Sequence, residues 1–326
     1  MKKILALLLA LWIPAAVLSG CAPQDDSAAS NKLNIVTTIF PAYDWVREIL
    51  GAETDRAEIT MLLDSGVDLH SYQPTVDDIV KISDCDLFLY VGGESDGWVE
   101  DALKNAPNKD RKVIRLLDVL GGSAKAEETV EGMQEEEHDH EEEAEYDEHI
   151  WLSLKNAQVL VAAISEALQE TDPARKDTYA ANAAAYAEKL SALDGEYRAA
   201  VDSGKYKTLL FGDRFPFRYL ADDYGLDYYA AFPGCSAETE ASFETVSFLA
   251  GKMDALGLPC VLTIEGTQHK IAETIVQNTA QKNQQVLTMD SMQAVTANDA
   301  ASGVSYLSIM EKNLSVLKKA LGQEAE

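Results

Sequence analysis

The strongest constraint on the fold is a pattern of strands and helices that occurs twice along the chain. Short apolar runs rich in β-branched residues alternate with helical segments, and a helix with a proline near its start follows the first run of each half. The predicted strands are 32–38, 59–63, 87–91 and 113–116 in the first half, and 208–212, 226–232, 261–264 and 285–289 in the second. Such alternation is typical of parallel sheets with right-handed crossovers. The sequence therefore predicts an α/β fold of two facing lobes, each a mostly parallel sheet flanked by helices.

A long helical segment lies between the two halves. In residues 173–203, apolar side chains recur with the period of an α-helix and no internal proline interrupts them; they are Tyr179, Ala183, Tyr186, Leu190, Leu193 and Tyr197. A helix of about 30 residues is roughly 45 Å long, so we expect it to join the lobes rigidly and to keep any opening motion small. The predicted division is a signal peptide 1–20, a tether 21–31, an N-terminal lobe 32–172, the linker helix 173–203 and a C-terminal lobe 204–326.

Two histidines occupy loops that the predicted topology brings to the cleft. His70 follows strand 59–63 and precedes a helix whose predicted N-cap is Thr75, and His149 follows a strongly acidic run. Loops at the carboxyl ends of strands form the ligand sites of open α/β sheets. A single loop histidine is ordinarily a solvated surface residue. Two at such positions, in a chain with 5 histidines, favour a metal site between the lobes.

The first residues have the features of an exported lipoprotein. Two lysines precede a short apolar run at 4–17, which is followed by Leu18, Ser19, Gly20 and Cys21. This pattern is typical of a secretory signal, and the run is too short to span a bilayer. The last four residues match the bacterial lipobox, which predicts cleavage before Cys21, a lipid anchor on its sulfur and an extracytoplasmic location. The alternative is an ordinary signal peptide with an incidental cysteine.

Charge and its distribution limit the partners. The formal net charge of −28 argues against nucleic acid as a ligand. Much of the excess lies in an acidic loop at 125–147, which also contains His138 and His140. We expect residues 127–148 to be disordered and to collect cations weakly near the cleft; a merely solvated acidic loop is the alternative.

The cysteines do not establish a disulfide framework. Cys85, Cys235 and Cys260 follow Cys21, which leaves an odd number in the mature chain. Cys85 lies just before a predicted strand and is expected to be buried. Cys235 and Cys260 both flank predicted strands of the second lobe, and the sequence leaves open whether they form a disulfide or remain thiols.

Several segments together carry a resemblance to a known family. They are residues 36–43, 66–72, 90–93, 148–152 and 305–307, with the acidic, histidine-containing insertion before the fourth. From Lys32 to Leu321 the chain resembles the zinc/manganese solute-binding lipoproteins of bacterial ABC importers, the ZnuA/TroA-like family. The resemblance implies two α/β lobes joined by one long helix and a divalent transition metal in the cleft. It also implies a monomer without enzymatic activity that serves an ABC permease and its ATPase.

The resemblance also implies a ligand set, with one departure. His70 and His149 match the first two ligands of the family, and Asp290 matches a carboxylate ligand. At the position where the family usually has His or Glu, this chain has Arg214, whose guanidinium cannot bind a cation. His269, in a loop after a predicted strand, is the expected substitute.

Neighbours of the departing position have secondary expectations. Asp213 is the alternative to His269 as a ligand, although the shift by one residue would turn it away from the cleft. Arg214 is expected to form an ion pair in the second lobe with Glu238, Glu240 or Glu265.

The predicted function is the capture of a divalent transition metal for an ABC permease. Two or three imidazoles and one carboxylate suit four-coordinate Zn²⁺, whereas Mn²⁺ favours more oxygen ligands, so zinc is preferred and manganese is the alternative. Because imidazole must be neutral to bind a metal, affinity should fall below about pH 6.5. A zinc hydrolase is disfavoured, because the chain lacks the His-Glu-x-x-His, Gly-x-Ser-x-Gly and phosphate-loop motifs. A metal-dependent adhesin or sensor with the same fold stays open.

Overall fold

Two parallel four-stranded sheets form the centres of the two lobes. A computed structural model of the protein describes residues 32–104, 106–134, 145–236, 240–266 and 269–323. The strands are β1 (Leu33–Thr37), β2 (Ala57–Met61), β3 (Leu87–Tyr90), β4 (Lys112–Arg115), β5 (Thr208–Arg214), β6 (Asp227–Phe232), β7 (Cys260–Thr263) and β8 (Gln285–Thr288). Their orders are β2-β1-β3-β4 in the first lobe and β6-β5-β7-β8 in the second, with parallel pairing throughout.

The helices lie between the strands and after them. They are α1 (Phe40–Leu50), α2 (Val76–Asp84), α3 (Val99–Lys104), α4 (Leu116–Leu120), α5 (Leu154–Thr171), α6 (Lys176–Ser203), α7 (Arg218–Tyr224), α8 (Phe243–Leu256), α9 (Lys270–Asn278), α10 (Ala297–Ala301) and α11 (Tyr306–Ala320). The predicted N-cap Thr75 begins α2, where its side chain and that of Asp78 form a reciprocal capping box. Within the described ranges, no helix is both long enough and apolar enough to cross a membrane.

The repeat predicted from the sequence is confirmed, because both sheets have the same strand order. In each sheet the first strand of the half lies between the second and the third. The chain therefore winds outward in both directions from the first strand, which leaves a crevice at the carboxyl ends of the strands. The strand bounds differ from their predictions by one or two residues, and β5 continues to Arg214, with a register irregularity after Phe211. This extension carries Arg214 to the edge of the sheet where ligands bind.

The long helix α6 has the predicted buried face. It follows a short 3₁₀ turn at Pro173–Arg175 and is 28 residues long, about 42 Å. All six apolar residues named from its periodicity are buried. This face packs against α1, α5 and α11, so the helix is in contact with neighbours along its length.

The last helix, α11, returns to the first lobe. The backbone N–H of Tyr306 at its start donates to the Asp44 carboxylate in α1, and the Tyr306 hydroxyl donates to the carbonyl of Trp151. Burial raises the pKa of Asp44 to about 6. The chain after the second sheet therefore ties both lobes together on the side of α1 and α6.

The acidic segment is ordered at both of its described ends, and the expectation of disorder was wrong there. Ala126 and Tyr146 form an antiparallel bridge, and the backbone N–H of Gln134 donates to the carbonyl of Ala231 in β6. Glu131 forms an ion pair with Lys252 in α8. One backbone hydrogen bond to β6 and an ion pair to α8 hold this segment despite its poor apolar content. His138 and His140 lie outside the described residues.

Candidate metal centre

The first histidine of the site is held by hydrogen bonds on both of its flanks. His70 lies in a 3₁₀ turn, Leu69–Ser71, after β2, and its backbone N–H donates to Asp68 Oδ1. Its Nδ1 lies 2.8 Å from Ser95 Oγ, which follows β3. Burial, together with the nearby His149, lowers the pKa of His70 to about 3. The imidazole is therefore neutral at physiological pH, which is the form that binds metals.

The second histidine is completely buried and oriented by a carboxylate. His149 has no exposed surface, and Asp147 Oδ1 accepts its backbone N–H and lies 3.0 Å from Nδ1. A carboxylate at this nitrogen fixes the tautomer that leaves the Nε2 lone pair free. Nε2 of His149 lies 3.2 Å from Nε2 of His70. The two imidazoles thus direct their outer nitrogens at one point.

The Glu148 carboxylate lies beside His70. One carboxylate oxygen accepts the backbone N–H of Ser95, and the other lies 3.5 Å from His70 Nδ1 without a hydrogen-bond partner among the described residues. Gly93 permits this approach, since a Cβ there would lie 2.0 Å from Glu148 Oε1. Burial raises the pKa of Glu148 to about 7.

Cys235 completes the cluster, and the sequence analysis did not assign it this role. One ring nitrogen from each histidine and the sulfur of Cys235 all lie within 4.8 Å of one another. In the part of the chain that the structure describes, no other group of three or more His, Cys, Asp or Glu side chains is close enough to hold a metal ion. The signal that could have found it was the repeat, because the loop after β6 is the counterpart of the His70 loop.

The disulfide between Cys235 and Cys260 does not form. Cys85, Cys235 and Cys260 are all free thiols, and Cys85 is buried as predicted. Burial raises the pKa of Cys85 and of Cys260 to about 12, and it raises the pKa of Cys235 well above its usual value. Cys260 lies inside the second lobe at the start of β7. The cleft lies at the carboxyl ends of the strands, so Cys260 is at the opposite edge of the sheet.

Arg214 forms an ion pair across the cleft with Asp68 of the first lobe. One guanidinium nitrogen lies 2.5 Å from Asp68 Oδ2, and another donates to the carbonyl of Ser236 at 3.2 Å. Burial alone would raise the pKa of Asp68, but the facing Arg214 lowers it below 3.8. Since Asp68 also caps the His70 turn, the ion pair joins the edge of β5 to the loop that carries a candidate ligand.

Glu238 lies outside the described residues, and the other two predicted partners of Arg214 are engaged elsewhere or exposed. Glu265 accepts the backbone N–H and the hydroxyl of Ser291 after β8. Glu240 is exposed. Glu265 therefore organises the second-lobe loop without Arg214.

The two remaining predicted ligands do not join the cluster of His70, His149 and Cys235. His269 lies at the start of α9, with a buried Nδ1 that has no hydrogen-bond partner among the described residues. It is near Asp213, whose pKa is raised by burial. Asp290 Oδ1 accepts the backbone N–H of Met292, and burial with the nearby Glu265 raises the pKa of Asp290 to about 6. Metal ligation by His269 or Asp290 stays a prediction.

A cavity of about 810 Å³ leads to the cluster. Residues from both lobes and from the acidic segment line it, among them His70, Glu94, Glu127, Glu145, Glu148 and Cys235. Carboxylates along the approach favour a cation over an anion. The cavity gives a metal ion a route from solvent to His70 and Cys235.

Comparisons with known proteins agree with this architecture. The family model of the zinc-uptake complex component A, periplasmic (ZnuA), matches residues 35–320. The zinc-binding lipoprotein AdcA of Streptococcus pneumoniae is 33% identical over 99% of this chain, which spans 62% of that relative. The high-affinity zinc uptake system protein ZnuA of Bacillus subtilis is 29% identical over 89% of this chain and 88% of that protein.

A solved structure agrees as well. The Zn(II)-bound ZnuA-like domain of Streptococcus pneumoniae AdcA superposes with a TM-score of 0.69 at 30% identity, covering 90% of this chain and 100% of that domain. The match to known proteins therefore covers nearly the whole described chain, including the two sheets, the long helix and the paired histidines. The protein belongs to the ZnuA family of zinc-uptake components.

Proposed function

We propose that the protein binds one zinc ion in the cleft between its lobes and delivers it to an ABC permease. The observation that carries the proposal is the pair of facing imidazoles, His70 and His149, with Nε2 atoms 3.2 Å apart. Two facing imidazole nitrogens, one of them on a ring oriented by the Asp147 carboxylate, form a site suited to a cation such as Zn²⁺. The relatives named for zinc binding and zinc uptake support zinc as the cargo.

The fold supports a carrier in place of an enzyme. The cluster of His70 and His149 from the first lobe and Cys235 from the second allows a bound ion to favour the closed arrangement, and the stiff helix α6 limits the change to a small movement. A permease and its ATPase would then distinguish the loaded form from the empty one. The family name describes an uptake component and gives no hydrolytic activity.

The proposed location is outside the cytoplasm, with a lipid anchor on Cys21. The lipobox at Leu18 to Cys21 supports the anchor, and the family name and the relatives named lipoproteins support export. Residues 1–31 lie outside the described part of the chain. We propose that the body acts as a monomer at the membrane surface.

Metal titration with elemental analysis tests the proposal. The full-length protein in detergent should bind one zinc tightly, and His70→Ala and His149→Ala should each lose stoichiometric binding. A His138→Ala/His140→Ala double variant is the matched control, because it removes two histidines outside the pair; it should keep the tight site. Wild-type protein without stoichiometric zinc, or tight binding that survives both single variants, would overturn the proposal.

A further inference from the structure

We propose that the Cys235 thiolate is the third zinc ligand, and that this ligand selects zinc over manganese. The inference rests on the proposed function, because it names a ligand and a metal preference for the same site. The donor set is then two imidazole nitrogens and one sulfur, with a fourth coordination position for another donor. His269 is then not needed as a substitute ligand.

The position of the sulfur carries the inference. The Cys235 sulfur and a ring nitrogen of each histidine lie within 4.8 Å of one another, close to the separation that one ion can bridge with bonds of about 2.0–2.1 Å to nitrogen and about 2.3 Å to sulfur. A small closure of the lobes would bring the three donors to that separation. Cys235 stands on the second lobe and the histidines on the first, so the ion would bridge the cleft.

The loop that presents Cys235 is held from the first half of the chain. The Cys235 backbone N–H donates to Glu127 Oε1 at 2.8 Å, and Arg214 donates to the carbonyl of the next residue, Ser236. Gly234 allows the loop to approach His149, since a Cβ there would lie 3.2 Å from its Nδ1. The loop is therefore fixed against the histidines by contacts that involve no metal.

Arg214 explains why a different residue supplies the third ligand. The guanidinium at the family's usual ligand position is directed to Asp68 and cannot bind a cation. The end of β5 thus supplies an ion pair, and the loop after β6 supplies the metal ligand. When the sulfur–zinc bond forms, the thiol loses its proton to solvent.

Thiolate ligation determines the class of cargo. Soft sulfur with imidazole suits Zn²⁺, whereas Mn²⁺ is held best by carboxylate, carbonyl and water oxygens. Two nitrogens and a sulfur therefore disfavour manganese more strongly than the nitrogen and oxygen set expected from the sequence. The inference therefore favours zinc over manganese as the cargo.

Cobalt titration of the full-length protein tests the ligand directly. Co²⁺ bound by a thiolate gives a sulfur-to-cobalt charge-transfer band in the near ultraviolet, which imidazole and carboxylate ligands do not give. The wild type should show the band at one cobalt per chain, and zinc should displace it. Cys235→Ala should lose the band and bind zinc at least ~100-fold more weakly, which is beyond the usual effect of residues that only orient a ligand.

Cys260→Ala is the matched control, because it removes a second-lobe thiol that lies outside the cluster. It should keep both the band and the zinc affinity. Stoichiometric zinc with no charge-transfer band in the wild type would overturn the inference and leave the proposed function intact. Absence of stoichiometric metal in the wild type would overturn the proposed function itself. The wild-type spectrum decides between these results even if Cys235→Ala fails to fold.

Manganese competition tests the selectivity. A large excess of Mn²⁺ should leave zinc bound in the wild type. Displacement of zinc by manganese at comparable concentrations would contradict thiolate ligation as the basis of selection.

Discussion

The two lobes contribute to the cleft in different ways. In the first lobe, both histidines have a second ring nitrogen held by a neighbour, Ser95 Oγ for His70 and Asp147 for His149. In the second lobe, the Arg214 guanidinium is paired with Asp68 of the first lobe, and the loop that carries the Cys235 thiol is held by the Glu127 carboxylate. The first lobe is organised around fixed side-chain ligands, whereas the second is organised around a loop that is fixed as a whole.

This difference shows that an internal repeat preserves the location of a site without preserving its chemistry. The same sheet edge in both halves approaches the cleft, because both sheets have the same strand order. The side chains on that edge differ between the two lobes. An ion pair from Arg214 to Asp68 joins the two edges directly, without a bound metal ion.

Among residues outside the three donors, the largest effect we expect concerns the carboxylate that orients the buried histidine. Asp147→Asn should weaken zinc binding by about 10- to 100-fold, because an amide fixes the Nδ1–H tautomer of His149 less well than a carboxylate. Competition with a chromophoric chelator measures the change. Asp77→Asn, at an exposed carboxylate of α2, is the control and should leave affinity unchanged. Equal zinc affinities in the wild type, Asp147→Asn and Asp77→Asn would contradict the view that the first lobe is organised around fixed side-chain ligands.

A smaller effect is expected for the ion pair between the lobes. Arg214→Met leaves the Asp68 carboxylate, which is 24% exposed, without its partner and should lower the free energy of unfolding by about 1–3 kcal/mol in the absence of metal. Urea denaturation measures it. Arg214→Met/Asp68→Asn should cost less than the sum of the two single variants, because the pair acts as a unit. Additive effects would mean that the pair does not join the lobes.

The ion pair also has a defined pH dependence. The pKa of Asp68 is lowered on folding, so the stabilisation is present above the unfolded value near 3.8 and is lost as pH falls through the lower folded value. The stability difference between wild type and Asp68→Asn should therefore be constant from about pH 7 to pH 5 and shrink below about pH 4. A difference that grows on acidification would contradict this assignment.

The smallest effect is expected at His269. Its Nδ1 is buried near Asp213 and does not belong to the cluster, so His269→Ala should change zinc affinity by less than about 10-fold. Calorimetric titration alongside His149→Ala gives the comparison. A loss equal to that of His149→Ala would restore His269 as a ligand and weaken the case for Cys235.

Local patterns predicted most of the fold because they act within short stretches of chain. The capping box at Thr75 and Asp78, and the buried face of α6, follow from residue spacing alone. The acidic segment is the exception, since its described ends are held by hydrogen bonds to β6 and α8 that no local pattern encodes.

The candidate site was predictable to the extent that it consists of histidines. His70 and His149 stand out because imidazole is a common metal ligand and both follow recognisable loops. Cys235 did not, because a cysteine near a strand is equally compatible with a disulfide, a buried thiol or a ligand. Only the distance from its sulfur to the two rings distinguishes these roles.

By itself the sequence determined the repeated α/β topology, the long helix and the histidines of the first lobe, since each follows from periodicity or residue type within one segment. The tertiary structure alone decided which second-lobe side chains reach the cleft. Arg214 meets Asp68 across 146 positions of chain, and Cys235 meets His149 through a loop held by Glu127. Such contacts depend on how two sheets face each other, and no local propensity specifies that arrangement.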